Sequence, residues 1–220
     1  MKRFVIGDIH GQYNQLEKVL KLCNFDFDND LLITIGDIVD RGKDWRLCLD
    51  ILFKIKNRID IRGNHDQTFY NYILTGEDWF GGRFGSDVTI SQWLECSDIN
   101  KLKYSEFFQN QIPFYVLDNK KCFVHGGFDI KFKIEENLEN TLYWDRELLE
   151  KSLIYPRGEK MNLLNNFERI FIGHTPTISY GLKDVNPTFS GGLIWNIDTG
   201  CGKGGLLTIM NIDTEEFFQG

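Results

Sequence analysis

Long apolar runs, paired cysteine motifs and an excess of basic charge are all missing from this 220-residue sequence. The N-terminal MKRFVIGDIHG has a run of only three apolar residues before its first acid, far short of a signal-peptide core or a membrane span. A cytoplasmic protein with no membrane association is therefore expected. The five cysteines, Cys23, Cys48, Cys96, Cys122 and Cys201, form no CxxC pair, and their odd number leaves at least one unpaired. That usage fits a reducing compartment better than a disulfide framework. A net charge of −7 and a pI near 5.2 exclude a broad nucleic-acid-binding face, although a small phosphate pocket could still be locally positive. Repeats, low-complexity tracts and linkers are absent too, so residues 1–220 read as a single domain, monomeric or weakly oligomeric.

What the sequence does contain is a series of short apolar runs: 4–6, 31–35, 59–61, 114–116, 122–124, 170–172, 193–195 and 206–210. Rich in Ile, Val and Phe and stopped by Gly, Asn or Asp, they predict buried strands. Between them, 12–22 places Tyr13, Leu16, Val19, Leu20 and Leu22 near one helical face, and 44–56 does the same with Trp45, Leu49, Leu52 and Phe53. The first 75 residues thus read as βαβ units, and the C-terminal third as an antiparallel set of strands. Residues 75–112 break this rhythm. Their mixture of glycines and aromatics predicts a helical or irregular cap-like insertion over one edge of the core, either a structural lid or a substrate-contacting one.

The polar residues sit where the apolar runs stop: FVIGDIHG, ITIGDIVDRG, IDIRGNHD, CFVHGG, IFIGHTP and, more weakly, WNIDTG. All four histidines, His10, His65, His125 and His174, lie at such ends with a glycine within two residues. One histidine there is usually a hydrogen-bonded turn residue, but four of four imply convergence on the crevice beyond the strand ends. Carboxylates and imidazoles crowded together need cations to offset repulsion and unpaired polar groups. Asp8, His10 and Asp37 would serve one divalent ion, and Asp37, Asn64, His125 and His174 a second, with Asp37 shared. Oxygen and imidazole donors without thiolate suit Mn²⁺, Fe or Zn²⁺. Asp40 and His65 remain as an acid dyad, with Asp40 orienting the ring and favouring imidazolium. Arg41 and Arg62 adjoin them with forks suited to phosphoryl oxygens, although Arg62 could instead pair with a carboxylate.

These motifs, GDIHG at 7–11, GDIVDRG at 36–42, RGNHD at 62–66, HGG at 125–127 and GHT at 173–175, resemble in order and kind the phosphoprotein phosphatase-type metallophosphoesterases. The compact phage lambda-like serine/threonine phosphatases are the nearest likeness. The resemblance implies an α/β fold of two mixed sheets packed face to face as a sandwich flanked by helices, the calcineurin-like metallophosphoesterase fold. It also implies two divalent ions, manganese foremost, with Asp40 and His65 as the catalytic pair and Arg41 and Arg62 on phosphate. To these it adds Arg146, whose YWDRE setting (143–147) matches the family's tryptophan-any-arginine element; the spacing alone would leave it a surface helix residue.

Two departures qualify the likeness. Asp66 stands where the family has a longer glutamate, and that aspartate together with IDTGCGKGGLLT (197–208) is reminiscent of symmetrical diadenosine tetraphosphate hydrolases. Those tend to be longer and to lack the counterpart of Asp40. The expected activity is therefore serine/threonine phosphatase on a phosphorylated protein, peptide or small phosphate ester, with hydroxide bridging the ions as nucleophile and His65 protonating the leaving alkoxide. Dinucleoside polyphosphate hydrolysis is the alternative. A non-catalytic metal- or phosphate-binding module is disfavoured, since a binder would not need the acid dyad.

Overall fold

The structure is a computed structural model that describes residues 1–156, 158–180 and 185–220. Two five-stranded mixed sheets form its centre. In the first, β1 (Arg3–Ile6), β2 (Leu31–Thr34) and β3 (Asn57–Asp60) run parallel, and β9 (Thr208–Asn211) and β10 (Phe217–Gln219) add antiparallel on the β1 side. The second has the order β4-β5-β6-β8-β7, built from β4 (Phe114–Leu117), β5 (Lys121–Val124), β6 (Arg169–Ile172), β7 (Thr188–Ser190) and β8 (Ile194–Asn196). Its three middle strands, β5, β6 and β8, are mutually parallel.

The short apolar runs have a simple cause: both faces of each central strand are buried. Side chains alternate along a strand, so Val5 and Ile33 face the second sheet while Phe4, Ile6 and Leu32 face outward. Between the sheets lie Val5, Ile33, Ile35, Phe123, Phe171, Ile197 and Met210, with the Phe123 and Phe171 rings stacked at 4.9 Å. Outside the first sheet pack α1 (Tyr13–Leu22), α2 (Trp45–Leu52), α3 (Asn64–Thr75), α4 (Ser86–Leu94) and α5 (Asp98–Asn110). Outside the second pack α6 (Glu139–Trp144) and α7 (Glu147–Leu153). Helices thus flank a sheet-on-sheet sandwich, as the sequence motifs imply. Among the described residues no helix is long and apolar enough to cross a membrane.

All eight predicted strands are present, and both predicted helices. Leu22, however, is 46% exposed at the end of α1 and does not belong to its buried face. The C-terminal third is not one antiparallel set. β6 and β8 lie parallel in the second sheet, whereas β9 and β10 complete the first. β7 and β10 escape sequence reading because each is a three-residue edge strand with few buried side chains. Residues 75–112 form α4 and α5 preceded by an irregular glycine-rich stretch.

Candidate metal-binding active site

Six parallel strands, three from each sheet, release their chains towards one crevice. After β1 come Asp8 and His10; after β2, Asp37, Asp40 and Arg41; after β3, Asn64 and His65; after β5, His125; after β6, His174; after β8, Asp198. Asp8, His10, Asp37, Asn64, His125 and His174 are all buried, as are Asp40 and His65. Of the ten non-glycine residues with positive φ among the described residues, five are His10, Asp37, Asp40, Arg41 and His174. Such conformations carry strain, and here the strain gathers where ligand side chains must turn inward. Glycine makes the close approaches: a methyl group on Gly63 would collide with the Asp37 carboxylate, and one on Gly173 with that of Asp8.

Asp37 is the hub. Its Oδ2 lies 3.5 Å from His10 Nε2 and its Oδ1 lies 3.4 Å from His125 Nε2. The donor atoms of His10, Asp37 and His65 fall within 4.8 Å of one another, and so do those of Asp8, Asp37 and His125. Asp37 is therefore common to both groups. His65 stands closer to ligand distance than the sequence suggested, and Asp8 clusters with His125. Asn64 Oδ1 completes the second group, 3.0 Å from His125 Nε2 and 2.8 Å from His174 Nδ1.

This donor set fits divalent cations. His125 Nδ1 lies 2.7 Å from the Ile35 carbonyl and must donate to it, so in the neutral ring Nε2 is a bare lone pair. That lone pair faces the Asn64 and Asp37 oxygens, an arrangement of acceptors with no proton among them, which a shared cation resolves. His10 is oriented likewise by Nδ1 against the Val39 carbonyl at 2.8 Å. The electrostatics agree. Burial, then Asp198 and Asp37, pushes the Asp8 carboxyl well above its usual range. Burial and the Asp37 charge push Asp198 up to about 6. Asp37 goes the other way: burial alone would raise it, but His125, His65, His10 and His174 outweigh burial and hold it well below the carboxylate range. Burial lowers His10 to about 3, which leaves a neutral ring ready to ligate.

Beside the cluster lies the Asp40–His65 pair. His65 Nδ1 is 2.7 Å from Asp40 Oδ2, and Thr89 of α4 clasps the same carboxylate, donating to Asp40 Oδ1 at 2.7 Å and accepting from the Asp40 amide at 3.1 Å. Burial works against the His65 charge, yet Asp37 and Asp40 prevail and raise its pKa. Arg41 Nε donates to His10 Nε2 at 3.2 Å while its fork reaches within 3.5 Å of His65 Nε2. Arg146 flanks the opposite side, donating from Nε to His174 Nε2 at 3.2 Å.

Arg62 is the exception. Its guanidinium turns away from the cluster and donates to the Phe108 carbonyl, to the Gln109 carbonyl at 3.1 Å and to Gln67 Oε1 at 2.9 Å, over the Tyr70 ring. The C-terminus of α5 has carbonyls without helical partners and no basic residue in its last turn; Arg62 supplies both the donors and the positive charge. Where the sequence led to an expected phosphate contact, the hydrogen bonds of Arg62 go instead to α5 and to Gln67. Asp66, one methylene shorter than glutamate, still spans two loops: it accepts from the Ile38 amide at 2.8 Å, the Gly63 amide at 3.3 Å and Gln111 Nε2 at 2.8 Å.

Thr89 and Asp198 carried no role in the sequence reading. Asp198 had the signal in its strand-end position, whereas nothing near Thr89 in sequence points 49 residues back to Asp40.

The family described as calcineurin-like phosphoesterase matches residues 1–189. Serine/threonine-protein phosphatase 2 of Escherichia coli is 29% identical over 95% of this chain and 92% of its own length. The symmetrical bis(5'-nucleosyl)-tetraphosphatase of Wigglesworthia glossinidia brevipalpis is 39% identical over 76% of this chain and 59% of its own. Serine/threonine-protein phosphatase 1 of Salmonella typhimurium is 38% identical over 35% of this chain. The chain thus spans 39% of that phosphatase and 59% of the tetraphosphatase. Among solved structures, a cold-active protein-tyrosine phosphatase of Shewanella shares the fold, with TM-score 0.63 and 18% identity over 99% of this chain and 80% of its own.

Proposed function

This chain belongs to the calcineurin-like phosphoesterase family of metal-dependent hydrolases, and we propose that it acts as a phosphomonoesterase of the serine/threonine protein phosphatase type. The observation that carries this reading is the buried dyad, His65 Nδ1 at 2.7 Å from Asp40. An alkoxide leaving from serine or threonine is a poor leaving group and needs a proton, whereas a phosphate leaving from an anhydride does not.

Asp8, His10 and Asp37 would hold one divalent ion, and Asp37, Asn64, His125 and His174 the other. When bound, such ions neutralise phosphoryl charge and lower the pKa of water. The rest falls to the chain itself. Arg41 and Arg146, on opposite sides of the cluster, are placed to take phosphoryl oxygens, and guanidinium geometry suits them to it. Asp40 fixes the His65 ring so that Nδ1–H is engaged and Nε2 is presented to the leaving oxygen. Thr89 in turn fixes Asp40, which makes the 75–112 insertion part of the acid apparatus. We assign the insertion the role of a cap on a single domain.

Dinucleoside polyphosphate hydrolysis is the second reading. It is favoured by the 39% identity to a symmetrical tetraphosphatase and by the IDTGCGKGG loop, whose Gly202 packs so tightly on His10 and Arg41 that a Cβ would collide with both. The comparison of kcat/KM for a phosphoserine peptide and diadenosine tetraphosphate, with Mn²⁺ supplied, tests the choice. A peptide value at least tenfold higher is expected; the reverse order transfers the chain to the tetraphosphatases.

A further inference from the structure

Phe84 has backbone angles of φ 61° and ψ 16°, in a GGRFG stretch (81–85) whose Gly81, Gly82 and Gly85 also have positive φ. Glycine takes that conformation without strain, whereas a bulky side chain rarely does. The residue is also 49% exposed, so burial of its ring in the core does not explain it. The strained backbone and the ring share one neighbour, Arg41.

Arg41 follows Asp40 in a turn where both residues are left-handed, with φ of 63° and 67°. The turn lies outside helix and strand, and the insertion accepts both of its amides: Asp40 donates to Thr89 Oγ1 at 3.1 Å and Arg41 to the Phe84 carbonyl at 2.7 Å. Contact there is tight. A Cβ on Gly85 would fall 2.6 Å from the Arg41 nitrogen. At the other end of the same residue, the Arg41 guanidinium carbon lies 5.6 Å from the centre of the Phe84 ring, within cation–π range. Phe80 braces that ring edge-on at 5.3 Å. Phe84 therefore holds Arg41 by its main chain and by its tip.

The other partners of the guanidinium have competing uses. His10 Nε2, which accepts from Arg41 Nε at 3.2 Å, is the lone pair that a divalent ion would take, and His65 Nε2, 3.5 Å from the fork, is the atom proposed to face the leaving oxygen. Phe84 has neither task.

From this geometry we infer that Phe84 is a positioning residue for Arg41: its carbonyl fixes the turn, and its ring keeps the guanidinium in the crevice when His10 is engaged elsewhere. The inference rests on the proposed phosphate role of Arg41 and holds whether the ester carries a protein or a nucleoside.

Equilibrium dialysis of labelled inorganic phosphate, with Mn²⁺ present, reads Arg41 without turnover. Phe84→Gly preserves the left-handed backbone and removes only the ring. Phosphate affinity should fall about fivefold, the worth of a partly exposed cation–π contact, and KM for p-nitrophenyl phosphate should rise by the same factor with kcat little changed. Phe84→Tyr should restore the affinity, whereas Phe84→Leu, apolar but without a π face, should not. In an Arg41→Met background Phe84→Gly should have no further effect; combined with Arg146→Met, on the opposite side of the cluster, the two losses should multiply. Unchanged affinity in Phe84→Gly, full rescue by leucine, or losses that multiply with Arg41→Met would overturn the role of Phe84 and leave the proposed function standing. No phosphate binding by the unaltered protein, or normal binding by Arg41→Met, would remove Arg41 from phosphate and overturn both. Hydrogen exchange reads the main-chain half of the clamp. The Arg41 amide should be protected in the unaltered protein and lose that protection in Gly85→Ala, and an amide that exchanges at the unprotected rate from the outset would reject the clamp.

Discussion

The two sheets contribute to the crevice in different ways. The loops after β1 and β2 in the first sheet are tied to each other by their backbones: the Ile9 and His10 amides donate to the Asp37 carbonyl at 3.1 and 2.8 Å, Gly11 to Ile38 at 2.8 Å, and Gly42 back to His10 at 3.0 Å, while the loop after β3 is held to them by the Asp37 and Asp66 carboxylates. The second sheet reaches this platform through its ligand residues, with the His125 ring on the Ile35 carbonyl and the His174 amide on the Asp8 carboxylate at 3.2 Å. The first half is thus preorganised by main-chain bonds, and the second is joined to it by the groups that would bind metal. On the proposed function, the acid dyad lies in the first half, and closure of the metal set depends on the second.

Substitutions can break this contrast at decreasing cost. His65→Asn should slow hydrolysis of phosphoserine by about 10²-fold to 10⁴-fold, and p-nitrophenyl phosphate, whose leaving group hardly needs a proton, far less. Steady-state rates on both substrates decide it, and equal losses would remove His65 from the acid role. The pH profile has a worked sign. Because the His65 pKa is raised, the acid stays protonated through the ordinary imidazole range and is lost only at higher pH. Phosphoserine turnover should therefore fall on that alkaline limb while nitrophenyl phosphate turnover does not. The dyad's contribution to stability follows the same sense, present below the ordinary imidazole pKa and lost as pH rises through the raised one.

Thr89→Val should cost about tenfold on phosphoserine, because one buried Asp40 oxygen and the Asp40 amide both lose their partner. Arg62→Met should separate stability from catalysis. Loss of its bonds to the end of α5 should destabilise the fold by about 1–3 kcal/mol in a urea titration, with KM for phosphate esters little changed. Arg41→Met should do the opposite, raising KM with a smaller effect on unfolding. The smallest effect sharpens the comparison of the halves: on adding Mn²⁺, amide exchange should slow more in 125–127 and 173–176 than in 8–11 and 36–42.

Much of the candidate site was legible because five strands, β1, β2, β3, β5 and β6, stop at a polar residue beside glycine, a local signal repeated at Asp8, Asp37, Asn64, His125 and His174. The sandwich was legible only through the motif resemblance, since apolar runs alone do not say how ten strands divide between two sheets. The bonds of Arg62 could not be read from sequence because its neighbours, Gly63 and Asn64, face the crevice while two of its partners, the Phe108 and Gln109 carbonyls, lie more than 40 residues away on α5. Thr89 was hidden for the same reason. Its role comes from packing of the insertion onto the loops, and no periodicity encodes that.

Equilibrium dialysis against Mn²⁺ followed by metal analysis tests most directly whether five strand ends build one dinuclear centre around Asp37. Two ions per chain are predicted, with Asp37→Asn losing both and His174→Ala weakening one. A chain that binds fewer than two, or an Asp37→Asn variant that keeps both, would contradict the account.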